Sequence, residues 1–251
     1  NDDMKEDAAT IIKQIKSAYK SNYGDNYKDS LNQALTSAGY KNLSEYRQRM
    51  IKQIQYANFL LDYIDDHFDD VFNDYYQQCA PKYVSLIKIS VSDTSSPTDD
   101  ETSKLNEVKE LISNTDKSFG DIAQDYSNDS TSSKKGSLGI VDSKDTSGIA
   151  NSYGKDVFNA IEALSEGQVS DVITGDNGYY FVKVTSTDKK TLKKELKKTD
   201  IDSPLLAYDD YLQYVVYNSY KINYKDKDIK KIVQEVVNKA LEERKTERGE
   251  A

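Results

Sequence analysis

VFNAIEALSEGQVSDVI (157–173), a four-residue break, and then GYYFVKV (178–184) together decide the fold. The first part predicts a helix over 157–164 and a strand over 168–174. Gly175-Asp176-Asn177-Gly178, overlapping that break, reads as a turn, and 179–186 as the returning strand. Asn-Gly between two β-rich runs is the strongest short-range signal for a hairpin. A helix that feeds a hairpin places helices and an antiparallel sheet in one domain, which is an α+β class.

Working upstream, residues 127–156 are rich in Ser, Asp, Lys and Gly and read as an ordered but irregular excursion. Before it, Phe119, Ile122, Ala123 and Tyr126 share one face of a helix opening near Ser118, and another helix is predicted at about 103–114. The Ser/Thr/Pro/Asp stretch 92–102 is loop. Val84, Leu86, Ile87, Ile89 and Val91 form a strand-like run. Pro81 marks a boundary, because proline disfavours helix at the residue before it.

Residues 4–79 read as helices throughout. Ala8, Ile11, Ile12, Ile15 and Tyr19 recur at helical spacing up to Gly24, and a second helix, about Tyr27 to Ser37, stops at Gly39. From Ser44 a long third stripe runs through Met50, Ile51, Ile54, Ala57, Leu60, Leu61 and Ile64. Phe68, Val71, Phe72 and Tyr75 continue it toward Cys79. Downstream of Lys189 the chain is basic and helical again, and its last helix carries Ile229, Ile232, Val233, Val236, Val237, Ala240 and Leu241. That seam needs a partner, and the amino-terminal stripe is the expected one. The expected organisation is an amino-terminal helical segment (1–82), a sheet domain (83–188) and carboxy-terminal helices (189–251) packing on the first segment to form an all-α domain.

Composition narrows the function. Hydrophobic residues make up 37% of the 251, even with 20 Tyr among them, and charged residues 31%. Such a chain suits small cores and much surface. No run approaches the roughly 18 apolar residues of a membrane span. No basic-then-apolar leader opens the chain, which reads as a signal absent or already removed. The net charge is -9, which argues against nucleic acid. Residues 83–188 hold 9 Lys/Arg against 18 Asp/Glu, so the acidity is concentrated in the sheet domain. With one Cys and one His, neither an internal disulfide nor a Cys/His zinc site can be assembled. His67 lies among Asp62, Asp65, Asp66, Asp69 and Asp70 and reads as a solvated helix residue; Cys79 reads as a small hydrophobe lacking a base to ionise it.

Residues 83–188 resemble a parvulin-type peptidyl-prolyl isomerase domain. The resemblance rests on YVSLIKI (83–89), FGDIAQDYSND (119–129), KKGSLG (134–139), VFNAIEALSEGQVSDVI and GYYFVKV. With its helical flanks, which are much less specific than the middle, nearly the whole chain is similar to PrsA/SurA-type extracytoplasmic foldases. The family carries a His on the first strand, where Leu86 stands here, and a second after Gly-Tyr on the last strand, where Tyr180 stands. Its Cys-or-Asp position is kept as Asp129. Its glycine turn is one residue short, reading Gly136-Ser137-Leu138-Gly139. The Met and Phe of its proline pocket fall at Tyr153 and Val157, with Phe158 adjacent.

Prolyl isomerisation needs no nucleophile or cofactor, only a site that favours the twisted amide over the planar one. The resemblance implies catalytic roles for Asp129 and Tyr180, with Tyr180 as a donor to Asp129, and substrate contacts from Leu86, Leu138, Tyr153, Val157 and Phe158. Each has a plainer reading. Leu86 and Tyr180 serve equally as sheet core, Asp129 as a capping carboxylate, Tyr153 and Phe158 as packing. Two functions follow: a foldase with weakened or lost isomerase activity, or a non-enzymatic chaperone using the domain as a scaffold. Both imply unfolded secreted proteins and Xaa-Pro peptides as partners at the outer face of a bacterial membrane, and no cofactor or metal. Both also admit a lipid anchor upstream of Asn1 and a homodimer. The acidic domain is expected to favour basic clients.

Overall fold

The computed structural model describes residues 2–196, 203–208 and 210–247. Parts of the basic carboxy-terminal segment (197–202, 209 and 248–251) therefore lie outside the described residues. The chain divides into two compact units, Asn1–His67 and Phe68–Ala251.

In the first unit, α1 (Asp2–Tyr23), α2 (Tyr27–Ser37) and α3 (Leu43–Asp66) follow the apolar spacing. Ala8 and Ile12 of α1 pack on Met50 of α3, with Ile15 and Ile54 around them. Gly39, at φ +81°, ends α2, where a Cβ would be strained. The Asn42 side chain then caps α3 by accepting from the Glu45 N–H at 3.0 Å. The predicted helical run 44–79 is two helices. α3 stops at His67, whose ring lies 4.4 Å from that of Tyr63, and α4 (Phe68–Cys79) starts afresh. Apolar spacing runs straight through His67, so periodicity carried no sign of the break.

The second unit is built on a four-stranded antiparallel sheet in the order β2-β1-β4-β3. β1 is Lys82–Ser90, followed by α5 (Asp99–Asn114) and α6 (Phe119–Tyr126). Then come β2 (Ser137–Val141), α7 (Ile149–Tyr153), α8 (Lys155–Ala163), β3 (Ile173–Gly175) and β4 (Gly178–Ser186). In the central pair Leu86 faces Val182, and Lys88 faces Tyr180. Side chains alternate across the sheet. Ile87, Ile89, Tyr179 and Phe181 pack against Leu105 and Val108 of α5 and Phe119 and Ile122 of α6. On the opposite face Val84, Leu86, Tyr180 and Val182 pack against Ile149, Val157 and Ile161 of α7 and α8.

The strand predicted at 168–174 shrinks to Ile173–Gly175, with one isolated bridge between Val169 and Lys183. The reason is local: the Val182 N–H, which a ladder would use, donates to the Ser170 hydroxyl at 3.0 Å. The irregular excursion 127–156 instead supplies β2 and α7.

Four further helices follow: α9 (Lys189–Leu196), α10 (Pro204–Ala207), α11 (Asp210–Ser219) and α12 (Lys227–Glu247). Within this unit α4 is the hub. Tyr76 donates to the Thr187 carbonyl at 3.0 Å, Tyr208 donates to Asp74 at 2.6 Å, and Arg244 of α12 pairs with the same Asp74 carboxylate. Ile229, Ile232 and Val236 of α12 stay exposed. No described helix is long and apolar enough to cross a membrane.

Candidate functional site

The site lies on the sheet face that α7 and α8 cover. Lys82 at the start of β1 fixes α8: its ammonium donates to the Ile161, Glu162 and Leu164 carbonyls at 2.7–3.0 Å, filling the end of that helix. α8 thereby holds Val157 and Phe158 under β4. α7 is five residues long and sits between Gly148 (φ +69°) and Gly154 (φ +99°). It presents Tyr153 to the ring of Tyr180, edge to face, at 6.2 Å between centroids.

Asp129 arrives from the other side. Beyond Ser85 the edge of β1 is taken over by residues 127–128. Ser127 Oγ accepts from the Lys88 N–H at 3.0 Å, Asn128 N–H donates to the Lys88 carbonyl at 2.8 Å, and Asn128 Oδ1 accepts from the Ser90 N–H at 3.1 Å. Asp129 then caps a 3-10 turn, taking the Thr131 N–H at 2.9 Å and its hydroxyl at 2.7 Å. Gly136 closes this turn. Its carbonyl accepts from the Leu86 N–H at 2.8 Å, and a Cβ there would lie 2.4 Å from the Leu86 oxygen. Only glycine fits that approach.

The structure brings six of the seven expected residues into one cluster. Leu86, Val157 and Tyr180 are core members, with Leu138, Tyr153 and Phe158 packed against them. Asp129 joins through Tyr153, whose hydroxyl donates to its Oδ1 at 3.4 Å. The expected Tyr180 bond to Asp129 is not formed: Tyr180 donates instead to Asn177 Oδ1 at 2.7 Å. The physical reason is the hairpin turn, which sets Asn177 three residues before Tyr180 and folds it back over the phenol. Leu86 and Val157 are 0% and 1% exposed, so they floor the site from beneath its surface. The capping role weighed for Asp129 is also present, in the same carboxylate.

Tyr153 divides two clefts. One, of about 430 Å³, runs from Tyr153 and Val157 to Tyr180, Ile173 and the turn at Asp176 and Asn177. The other, of about 380 Å³, is lined by hydroxyls of Ser130, Thr131, Ser137 and Ser152, with Leu138 and Lys134. Burial, and then the negative charge and hydrogen bond of Asp129, push the Tyr153 phenol up to about 12. Burial first, then Asp129 and Asp176, also raise Tyr180. Both phenols are therefore neutral donors rather than bases. The arrangement can hold a small apolar ring against aromatic walls and offer hydroxyl donors to a peptide carbonyl. Among the described residues that line the two clefts there is no histidine. Cys79 is fully buried, its thiol pushed up to about 12 by burial and then by the charge of Asp142.

Sequence reasoning missed two members. Asn177 was read only as a turn residue. Lys88 was read only as part of the strand; it stands alone as a charge in the run VSLIKISV (84–91). It lies cross-strand from Tyr180, with its ammonium 5.7 Å from that ring's centroid.

A four-stranded antiparallel sheet whose site face carries an apolar floor, an acid at 129 and an aromatic at 180 defines the class: residues 86–186 match the family model of the rotamase, PPIC-type PPIASE domain, and carry that parvulin-type domain. The chain is homologous to the PrsA foldases. It is 32% identical over 141 residues to the foldase protein PrsA of Staphylococcus epidermidis, covering 53% of this chain and 41% of that protein. PrsA of Staphylococcus aureus matches the same share of each chain at 31%. The match thus spans about two-fifths of the length of these relatives. Among solved structures, PrsA from Bacillus subtilis aligns over 89% of this chain and 78% of its own, with 20% identity and a TM-score of 0.40. The peptidylprolyl isomerase (PrsA) from Bacillus anthracis aligns over 88% and 91%, with 21% identity and a TM-score of 0.33.

Proposed function

We propose that this protein is an extracytoplasmic foldase whose parvulin-type domain binds Xaa-Pro segments of unfolded secreted clients and isomerises them slowly or not at all. Its helical segments, 1–82 and 189–251, hold the remainder of the client. One observation carries the reading: the cleft beside Tyr153 and Tyr180 keeps an apolar floor and hydroxyl donors, while both family His positions are filled by Leu86 and Tyr180. Binding needs the floor and donors. Acceleration needs a site that prefers the twisted amide, and Asp129 here accepts from Thr131 and Tyr153, whereas Tyr180 donates to Asn177. The foldase names of the relatives support the client class. The same positions favour a second reading, in which the domain is purely a binding scaffold.

Exchange NMR on a short Ala-Pro peptide separates the two. Acceleration above the uncatalysed rate that disappears in Asp129→Ala makes the protein an isomerase built on Asp129, Tyr153 and Tyr180. Peptide-induced shifts without acceleration make it a holding protein. Neither shifts nor acceleration would sink both readings of the site.

A further inference from the structure

We infer that Tyr180, pinned by Asn177, acts as a hydrogen-bond acceptor in this cleft and selects segments whose residue before the proline carries a backbone N–H. The inference rests on the peptide-binding reading above and names the group that the second phenol recognises. The ring is held from several sides. Tyr180 faces Ile173 in the ladder of β3 and β4, and Tyr153 meets it edge to face. Gly175 leaves it room, since a Cβ there would lie 2.7 Å from Tyr180 Cε2. The Tyr180 hydroxyl then donates to Asn177 Oδ1 at 2.7 Å, a full-strength bond. Both partners of that bond line the cleft of about 430 Å³, together with Tyr153. A phenol has one hydrogen and keeps lone pairs on its oxygen. With its hydrogen committed to Asn177, Tyr180 has acceptance left to offer a ligand. Tyr153 is the reverse case, because its 3.4 Å bond to Asp129 leaves a donor that is easily claimed. The local charges agree with this polarity. Asp129 and Asp176, whose negative charge is felt at Tyr180, favour the positive end of an N–H there over a carbonyl oxygen. Proline has no N–H, so within an Xaa-Pro unit only Xaa supplies one. The cleft thus reads main-chain polarity, an N–H at Tyr180 and a carbonyl at Tyr153. That suits clients of unrelated sequence and disfavours Pro-Pro.

The test titrates two short peptides into the full chain and follows the resonances of Tyr153 and Tyr180. One is an Ala-Pro peptide, and the other its ester analogue, in which an oxygen replaces the Ala N–H. The amide should bind about fivefold tighter, the worth of one neutral hydrogen bond. Tyr180→Phe should erase that preference by weakening the amide alone. Asn177→Ala should narrow it, because the freed phenolic hydrogen can turn toward the ester. Tyr153→Phe should weaken both peptides and keep their ratio. Equal affinities in the wild type, or a preference that survives Tyr180→Phe, overturn the acceptor role while leaving the cleft a peptide site. No response to either peptide overturns the cleft itself. Should Tyr180→Phe not fold, comparing amide with ester in the wild type and in Asn177→Ala still decides.

Discussion

Two tyrosine–carboxylate pairs in the same unit use identical chemistry to different ends. Tyr75 of α4 donates to Asp142 at 2.6 Å, and both residues are fully buried. Tyr153 of α7 donates to Asp129 at 3.4 Å at the wall of a cleft. Asp142 also gathers the Lys144 and Thr146 N–H groups and the Thr146 hydroxyl, so it is saturated and walled in. Asp129 shares one oxygen between Thr131 and a distant phenol. A short, enclosed bond fixes structure. A long bond at a surface leaves a donor that a ligand carbonyl can claim, and that contrast locates the site better than residue type does.

The largest effect should come from breaking the tight pair. Asp142→Ala strands the buried Tyr75 hydroxyl and releases two loop N–H groups at the partly exposed Lys144 and Thr146, at a cost of about 3 kcal/mol. Urea unfolding followed by tyrosine fluorescence would measure it, and a loss under about 1 kcal/mol would mean that Asp142 is not the anchor described. Asp129→Ala should cost far less, about 1 kcal/mol, because a cap is lost but nothing is stranded. Next in size is Gly136→Ala, which attacks the ground beneath the loose pair. The Gly136 N–H holds the Thr131 carbonyl at 2.9 Å, its φ is +75°, and a Cβ would also meet the Ala123 side chain at 2.8 Å. About 2–4 kcal/mol of strain is expected. If Gly136→Ala unfolds no earlier in urea than the wild type, the turn is not held as described.

Exchanging the hydroxyls sharpens the contrast. Tyr75→Phe leaves the buried Asp142 short of a partner and should cost about 2 kcal/mol. Tyr153→Phe should change stability by less than about 0.5 kcal/mol, since a 3.4 Å bond at a cleft is weak. It should instead weaken Xaa-Pro peptide binding by about threefold, through the lost donor. Equal stability losses in the two variants would erase the distinction between the pairs.

Much of this was legible in the residues, for reasons that also explain the gaps. The sheet class was readable because Asn177-Gly178 sits between β-rich runs and because Val84, Leu86, Ile87 and Ile89 are a strand's residues. The packing of Leu86, Leu138, Val157 and Phe158 into one apolar cluster was readable because the first three fall within the stretches that carry the resemblance and Phe158 lies beside Val157. Its hydrogen bonds were not. Whether Tyr180 turns to Asp129 or to Asn177 depends on how the hairpin folds back, and no spacing rule encodes that. Nor does spacing reveal that Ser170 would replace a ladder bond, or that α4 would part from α3 at His67.

The smallest expected effect is on pH, and it separates this site from one built on histidine. Tyr153 is raised to about 12 by burial and by Asp129, above an unfolded value near 10. A group with a raised folded pKa contributes stability that is complete below the unfolded value and lost as pH climbs through the folded one. The Tyr153 bond should therefore be intact at neutral pH and fail only between about pH 10 and about pH 12. Tyr75 and Tyr180 are shifted in the same direction, so no phenol of either pair changes state near neutrality. Binding of a Gln-Pro peptide should accordingly stay flat from about pH 6 to about pH 9. An imidazole in the site would instead bend that curve near pH 6.5. His67 is the only histidine in the chain, so His67→Gln is the control for any imidazole contribution to the profile. A bend in the profile that vanishes in His67→Gln would mean that the cleft beside Tyr153 does not by itself account for binding.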